Sequence, residues 1–295
     1  MKIRLKSWRH VGDTVCLSCA MANLSFAHPD WEVWYSGNYD DMYTGSRWEK
    51  RPYDADRVIQ LAYNDGGAWE KGASRGNVCE SYTQALSFHL GEEVPIVTGC
   101  PVLPYPTDAA LWAEQYKNCV IINTNCQQRS STKGYPYWNE VAKALTDNGE
   151  RVVLMGGNED RDIQDGADFQ GCIDLRGKTT IRQLMALATV ASGIISPASG
   201  IVHISAAYDT PCLVLTGARE PVGLTDYPFT RHISTDCTGR KHYHSKRGCM
   251  HFVADSTMVS CEKAVEINGR WYPSCMAGIP PLTVVEEFLK IQRKS

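Results

Sequence analysis

Ser199, Gly200 and His203 lie in the part of the sequence best suited to binding an anion. This part, residues 194–207, runs from an apolar, strand-like stretch directly into a helical one. A glycine at such a turn lets the backbone approach a ligand, and the first N–H groups of the helix are unpaired and lie at its positive end. The pattern indicates a phosphate-binding turn with His203 one turn inside the helix. An ordinary tight connection of an α/β domain is the alternative.

Polar residues also follow other predicted strands of the second half: Thr124, Asn125, Lys133, Gly156, Gly157 and Glu159. Lys133 can neutralise phosphate charge, and Glu159 can accept two hydrogen bonds from ribose hydroxyls. Thr124 and Asn125 can donate further hydrogen bonds. Singly, such residues are as well explained by a solvated lysine, a chain turn or a helix cap. Their joint placement favours a nucleoside diphosphate.

Asp13 is the best candidate for a catalytic group in the first half. It follows Gly12 at the end of the first predicted strand and lies where a helix starts. Its carboxylate could face a cleft between two domains and accept a proton from a substrate hydroxyl. The alternative role is a helix N-cap, in which the carboxylate satisfies free backbone N–H groups.

Strands alternating with helices must position these residues. The predicted strands cover 2–5, 31–35, 58–63, 119–123, 151–155, 194–195 and 211–216, and the predicted helices cover 15–26, 81–90, 136–148, 180–191 and 282–292. Residues 10–14 are predicted as a turn, 40–56 as a polar and aromatic loop, and the proline-rich 100–108 as an interdomain linker. The alternation favours parallel sheets, which bind ligands outside the carboxyl ends of their strands.

Composition sets the broad class. A chain of 295 residues with 43% hydrophobic content can bury two cores, so two α/β domains are expected. No apolar run approaches the roughly 20 residues of a membrane span, and the first residues lack a secretory pattern, so we expect a cytoplasmic protein. The twelve cysteines are then mostly reduced and buried. The net charge of −3 gives no general attraction to nucleic acid or to anionic membranes.

Three sequence stretches together resemble glycosyltransferase family 9, which includes the lipopolysaccharide heptosyltransferases. They are Lys133-Gly134-Tyr135-Pro136 before Trp138, the run LMGGNE ending at Glu159, and LRGKTTIRQLMALATVASGIISPASGIVHISAAYDTPCLVLTG. The resemblance is strong over 119–217, thinner over 1–35 and weak over 38–105.

The resemblance implies a GT-B architecture, in which two Rossmann-like domains with parallel sheets face a cleft. Residues 1–108 would bind the acceptor and residues 109–278 the nucleotide-sugar donor. The helix within 279–295 would pack back toward the first domain. The implied reaction is an inverting transfer to a hydroxyl of a saccharide or glycolipid, with no catalytic metal or other cofactor.

The resemblance also implies residue roles. Asp13 matches the general base, Lys133 the lysine on the donor diphosphate, and Glu159 the carboxylate on the donor ribose. Ser199, Gly200 and His203 match the phosphate-binding turn, and the matched stretch adds Lys178 and Thr179 to the donor set. Ala198 stands where the heptosyltransferases carry an aspartate, so one donor contact of the family is absent.

The last quarter of the chain suggests two further sites. Four cysteines, Cys237, Cys249, Cys261 and Cys275, lie near several histidines, but no close C-x-x-C pair is present, so buried or paired thiols are favoured over a metal site. Cys16 and Cys19 do form such a pair, inside an apolar helix where a structural role is favoured.

The stretch 231–247 is strongly basic and includes Arg240 and Lys241. Together with Gly12 these residues could contact a phosphorylated acceptor, although a solvated surface loop explains them as well. Four aromatic side chains of the acceptor half could stack on rings or form core: Trp8, Tyr39, Tyr43 and Trp48. Two alternatives to the saccharide or glycolipid acceptor remain: transfer to hydroxymethylated bases in phage DNA, and a non-catalytic nucleotide-binding protein.

Overall fold

The computed structural model describes residues 1–7, 10–62, 77–124, 133–157, 169–217, 223–235, 237 and 261–293. These residues form two α/β units, each built on a parallel sheet. The predicted fold class is therefore confirmed.

The first unit has a three-stranded sheet in the order β2-β1-β3, formed by β1 (Lys2–Lys6), β2 (Glu32–Tyr35) and β3 (Arg57–Gln60). Helices α1 (Val11–Ala27) and α2 (Val78–Leu90) pack against each other. Ile3 and Leu5 of β1 are fully buried in the same apolar cluster as the inner residues of α1 and α2. In the sequence, the carboxyl end of β1 at Lys6 is five residues before the start of α1 at Val11.

Helix α1 begins earlier than the sequence predicted. The predicted turn over 10–14 is the first turn of α1, with His10 at the N-cap position. Asp13 is therefore inside the helix and is not its N-cap. Gly12 and Asp13 are common turn residues, and here the helix continues through them because the start of α1 packs against the second unit.

The aromatic loop of the first unit contributes mainly to the core. It contains a short 3₁₀ helix (Asp40–Tyr43), and Tyr43 and Trp48 are buried. Because both side chains are buried, they belong to the core and cannot stack on a ring of the acceptor, whereas Tyr39 is 38% exposed. Trp8 lies outside the described residues.

The second unit has a six-stranded parallel sheet in the order β6-β5-β4-β7-β8-β9. Its strands are β4 (Val120–Asn123), β5 (Val152–Met155), β6 (Ile173–Asp174), β7 (Gly193–Pro197), β8 (Cys212–Leu215) and β9 (Thr230–Ile233), and its helices are α3 (Thr107–Glu114), α4 (Trp138–Asp147), α5 (Ile181–Val190) and α6 (Gly200–Ala207). The four central strands are buried on both faces, which explains their continuous apolar sequences. The strand order reverses between β4 and β7, and open α/β sheets bind ligands at such a switch point.

The end of the chain forms the hairpin β10 (Ala264–Ile267) and β11 (Arg270–Pro273), then α7 (Ser274–Ala277) and α8 (Pro281–Leu289). The terminal helix was expected to pack back toward the first domain. Its main contacts are instead with α4 and β8, because Val284, Val285 and Phe288 fill the apolar face of the second sheet.

The described cysteines are free thiols, and Cys16 and Cys19 are buried as expected. Cys249 lies outside the described residues, and the described part of the chain contains no cluster of three His, Cys, Asp or Glu side chains able to hold a metal ion. None of the described helices has the length and apolar character needed to span a membrane.

Candidate functional site

The predicted phosphate-binding turn lies between β7 and α6, at the switch point of the second sheet. Ser199 occupies the N-cap position of α6 in an extended conformation, but its side chain does not cap the helix. Its Oγ accepts a hydrogen bond of 2.9 Å from Asn123 Nδ2, and Asn123 also donates to Ser196 Oγ at 2.9 Å. These contacts join the ends of β4 and β7. Val202 N donates to Ser199 O at 3.1 Å, so the N–H groups of Gly200 and Ile201 are the ones left for a ligand.

Lys133 reaches this turn from the segment before α4. Its Nζ donates a hydrogen bond of 2.6 Å to the carbonyl oxygen of Ala198. The ammonium group is thereby held beside the start of α6, although 65 residues of chain separate the two. Ala198 is itself buried, so at this position the backbone and not a side chain meets the lysine.

The ends of β4, β5 and β6 continue the site along the sheet edge. Thr124 N donates to Met155 O at 3.1 Å, and Gly177 N donates to Gly156 O at 2.9 Å. Gly156 has φ of +155°, a conformation that other residues rarely adopt. The Thr124 hydroxyl is buried and has no hydrogen-bond partner within the described part of the chain. A buried, unpaired hydroxyl is costly, so a ligand oxygen beside it would be stabilising.

Lys178 and Thr179 lie on the loop between β6 and α5, next to Gly156. The Lys178 side chain is exposed and its Nζ donates to Asp174 O at 2.7 Å, while Thr179 is half-buried. Thr180 then caps α5. The two residues are therefore near the β5 end of the site and not at the turn itself.

A contact between two helix starts brings the first turn of α1, with Asp13, to the predicted phosphate-binding turn. A Cβ atom on Gly12 would lie 3.3 Å from His203 Cδ2, and one on Gly200 would lie 3.1 Å from Gly12 N. Glycine at both positions lets α1 and α6 meet. The Asp13 carboxylate in the first turn of α1 accepts a 2.7 Å hydrogen bond from Tyr82 Oη through its Oδ1.

His203 lies between these groups as a neutral imidazole. Burial and, to a smaller extent, the Lys133 ammonium lower the pKa of His203 from 6.5 to about 4, and the Asp13 carboxylate opposes the shift. Its Nδ1 is 2.7 Å from Tyr227 Oη. Gly12, the neighbour of Asp13, contacts the His203 ring, and Lys133 contacts Ala198 at the start of the same helix, so the three residues converge on the start of α6.

Several predicted site residues lie outside the described part of the chain: Asn125, Glu159, Arg240, Lys241 and Cys249. Gly157 is described and follows Gly156 at the end of β5. The sequence analysis missed four residues that hold the site together: Tyr82, Asn123, Ser196 and Tyr227. Asn123 and Ser196 could have been found, because a polar residue in an apolar strand near the switch point is a recognisable signal. The two tyrosines carried no such signal.

The arrangement combines a carboxylate with a place for an anion. Asp13 can take a proton, and Lys133 and the start of α6 can stabilise negative charge on a neighbouring group. A hydroxyl nucleophile attacking a carbon that carries a diphosphate leaving group requires this pair of functions.

Comparison with known proteins agrees with the geometry. The family model for glycosyltransferase family 9 (heptosyltransferase) matches residues 104–249. Lipopolysaccharide heptosyltransferase 2 of Escherichia coli K12 is 32% identical over an alignment of 194 residues, and the match covers 59% of this chain and 48% of that protein. The chain spans less than half the length of the curated relatives it matches.

Solved structures extend the similarity to the whole chain. The E. coli ADP-heptose LPS heptosyltransferase II has a TM-score of 0.64 at 16% identity, and the match covers 99% of this chain and 98% of that one. E. coli heptosyltransferase WaaC with ADP has a TM-score of 0.56 at 15% identity, over 79% and 92% of the two chains. Residues 104–249 therefore match glycosyltransferase family 9, and the chain has the GT-B fold of the family's heptosyltransferases.

Proposed function

We propose that this protein is an inverting glycosyltransferase that moves a sugar from a nucleoside-diphosphate sugar to a hydroxyl of a saccharide or glycolipid. The observation that carries the proposal is the contact between the starts of α1 and α6, which brings the first turn of α1, with Asp13, against the predicted phosphate-binding turn that Lys133 also contacts. The same proposal assigns donor binding to Thr124, Gly156, Gly157, Lys178 and Thr179. It places Gly12 on the acceptor side.

In the proposed reaction the acceptor hydroxyl attacks the anomeric carbon of the donor. Asp13 accepts the hydroxyl proton as the new C–O bond forms. The bond between the anomeric carbon and the donor phosphate oxygen breaks, and its electron pair leaves with the nucleoside diphosphate. A single displacement of this kind inverts the anomeric centre.

Negative charge grows on the leaving diphosphate during this step. The Lys133 ammonium and the N–H groups at the start of α6 are fixed in place before the reaction, so they stabilise that charge without reorganising. In this scheme they supply the positive charge, and we propose that the reaction proceeds without a metal ion. The neutral His203 imidazole can form a hydrogen bond with the sugar donor or the acceptor substrate without adding charge to the site.

An adenine nucleotide sugar carrying heptose is the proposed donor, by analogy with relatives named as ADP-heptose enzymes. Thermal unfolding with ADP, UDP and GDP tests this choice, because a ligand at about 100 times its Kd stabilises by about 2.7 kcal/mol. We expect ADP to raise the Tm most. Lys133→Ala should lose this shift, and Lys143→Ala, which removes an exposed lysine of α4, should keep it.

The catalytic proposal is tested by Asp13→Asn. With ADP-heptose as donor and a lipopolysaccharide core saccharide as acceptor, we expect ADP release to fall by about 10²- to 10⁴-fold while ADP binding is kept. Asp30→Asn, at an exposed turn of the same unit, is the matched control. Turnover that persists in Asp13→Asn would remove the base assignment, and activity lost on addition of EDTA would contradict the metal-free scheme.

A further inference from the structure

The first turns of α2 contact both halves of the site, although no sequence pattern placed this helix there. Tyr82 is fully buried, and its Oη donates to Asp13 Oδ1 at 2.7 Å. A hydrogen bond to an ionised carboxylate is short and strong, and it fixes the rotamer of the side chain that accepts it. The second oxygen, Asp13 Oδ2, makes no hydrogen bond with the described part of the chain, and in the proposed reaction it accepts the proton of the substrate hydroxyl.

One turn earlier on the same helix, Cys79 begins a chain of contacts to the donor side. Its Sγ is 3.2 Å from Tyr227 Oη, which in turn is 2.7 Å from His203 Nδ1. Residues three positions apart share a face of a helix, so Cys79 and Tyr82 point the same way. One face of α2 therefore supports Asp13 directly and His203 through Tyr227.

The start of α2 is also fixed to the second unit by backbone contacts. Val78 N donates to Leu224 O at 3.1 Å, and Asn77 Nδ2 donates to Asp226 O at 3.2 Å. Asn77 Oδ1 meanwhile caps the helix by accepting from Cys79 N at 2.9 Å. The position of α2 is thus set by the segment that carries Tyr227.

We propose that Tyr82 is the positioning residue of the base Asp13, and that the first two turns of α2 hold this base in register with His203 through Cys79 and Tyr227. This inference rests on the proposed function, since it assumes that Asp13 takes the proton. Loss of the Tyr82 hydroxyl leaves the carboxylate free to rotate away from the attacking hydroxyl, and a misplacement of about 1 Å can cost about 100-fold in rate.

Tyr82→Phe tests the proposal, because it removes one oxygen and keeps the buried ring. With ADP-heptose and the core saccharide we expect kcat to fall tenfold or more, with the KM for ADP-heptose changed less than twofold. In Tyr227→Phe the KM for ADP-heptose should rise, since His203 lies on the donor side. Tyr208→Phe, which removes the hydroxyl bonded to Pro104 O, should leave both constants unchanged.

A double-mutant cycle separates positioning from a general structural role. If Tyr82 acts through Asp13, adding Tyr82→Phe to Asp13→Asn causes no further loss of kcat. The same four proteins, compared by urea unfolding, give the Tyr82–Asp13 coupling independently of turnover.

Additive losses, absence of coupling in unfolding, or an unchanged kcat in Tyr82→Phe would each overturn the positioning role. If Asp13→Asn itself keeps full activity, the proposed function fails instead, and the two failures are distinguishable.

Discussion

At the scale of single residues, His203 is the group most altered by its surroundings. Its imidazole is buried beside the Lys133 ammonium, and its pKa falls to about 4. The unfolded chain takes up a proton near pH 6.5, whereas the folded chain takes it up only near pH 4. The stability contributed by this residue is therefore complete above pH 6.5 and is lost as the pH falls toward 4.

We expect this linkage to be measurable as a pH-dependent free energy of unfolding. A shift from 6.5 to about 4 corresponds to about 3 kcal/mol. Urea unfolding between pH 4 and pH 7 should show His203→Gln losing less stability than the unchanged protein over this interval. Parallel curves for the two proteins would mean that the imidazole is not buried in neutral form.

The residues of the site differ in how far the sequence could predict them. Lys133, Ser199 and Gly200 could be predicted, because polar residues after strands of a parallel sheet collect at one edge. Tyr82 and Tyr227 could not, because their roles depend on how α2 and the segment before β9 pack together. Hydrophobic pattern fixes which residues are buried but not which buried hydroxyl meets which partner.

At the scale of elements, the close packing of α8 on the second sheet depends on Gly193 at the start of β7. A Cβ atom at this position would lie 2.8 Å from Phe288 Cε2 and 3.2 Å from Pro211 O. The Phe288 ring of α8 therefore occupies the space that a side chain at position 193 would take.

We expect Gly193→Ala to destabilise the protein by about 1–3 kcal/mol, the usual range for overpacking a core. In a Phe288→Leu background the same substitution should cost less, because the shorter side chain frees part of the space. Differential scanning calorimetry of the four proteins measures the interaction. Equal losses of stability in both backgrounds would show that the Phe288 ring does not limit the space at position 193.

The element boundaries show where local pattern suffices. Helix α5 starts one residue after its predicted start, because Thr180 and Gln183 form a capping box there. The start of α1 was predicted four residues too late, because its first turn depends on contact with α6 and not on local propensity. The hairpin of β10 and β11 was not predicted, although Asn268-Gly269 between its strands is a typical two-residue hairpin turn with both residues at positive φ.

At the scale of the whole molecule, Arg182 links the two units through α5. Its Nε donates to Asp108 Oδ1 at 2.9 Å and its Nη1 to Met42 O at 3.5 Å. The guanidinium is largely buried, and it holds the pKa of the Asp108 carboxyl below its usual value. The contact joins the 3₁₀ helix of the first unit, the start of α3 and the donor-side helix α5.

Arg182→Met should therefore loosen the junction more than it weakens either core. Because Asp108 is well exposed, we expect a loss of only about 1 kcal/mol in unfolding, together with a larger radius of gyration in solution scattering. Lys143→Met, which breaks the exposed pair with Asp147, is the control and should change neither quantity. An unchanged radius in Arg182→Met would indicate that apolar contacts alone fix the junction.

The contact between Gly12 and Gly200 has a consequence for reaction distance. Because neither glycine has a Cβ atom, α1 and α6 approach closely, and this approach sets the distance between the proposed base on α1 and the proposed leaving group at the start of α6. An alanine Cβ at position 200 would meet the backbone of Gly12 and the side chain of Val11, so the start of α1 must shift by a few tenths of an ångström. An alanine Cβ at position 12 would meet mainly the edge of the His203 imidazole. We therefore expect kcat/KM to fall further in Gly200→Ala than in Gly12→Ala, with both proteins still folded by circular dichroism. A larger loss of kcat/KM in Gly12→Ala than in Gly200→Ala would mean that this contact does not set the distance between the proposed base and leaving group.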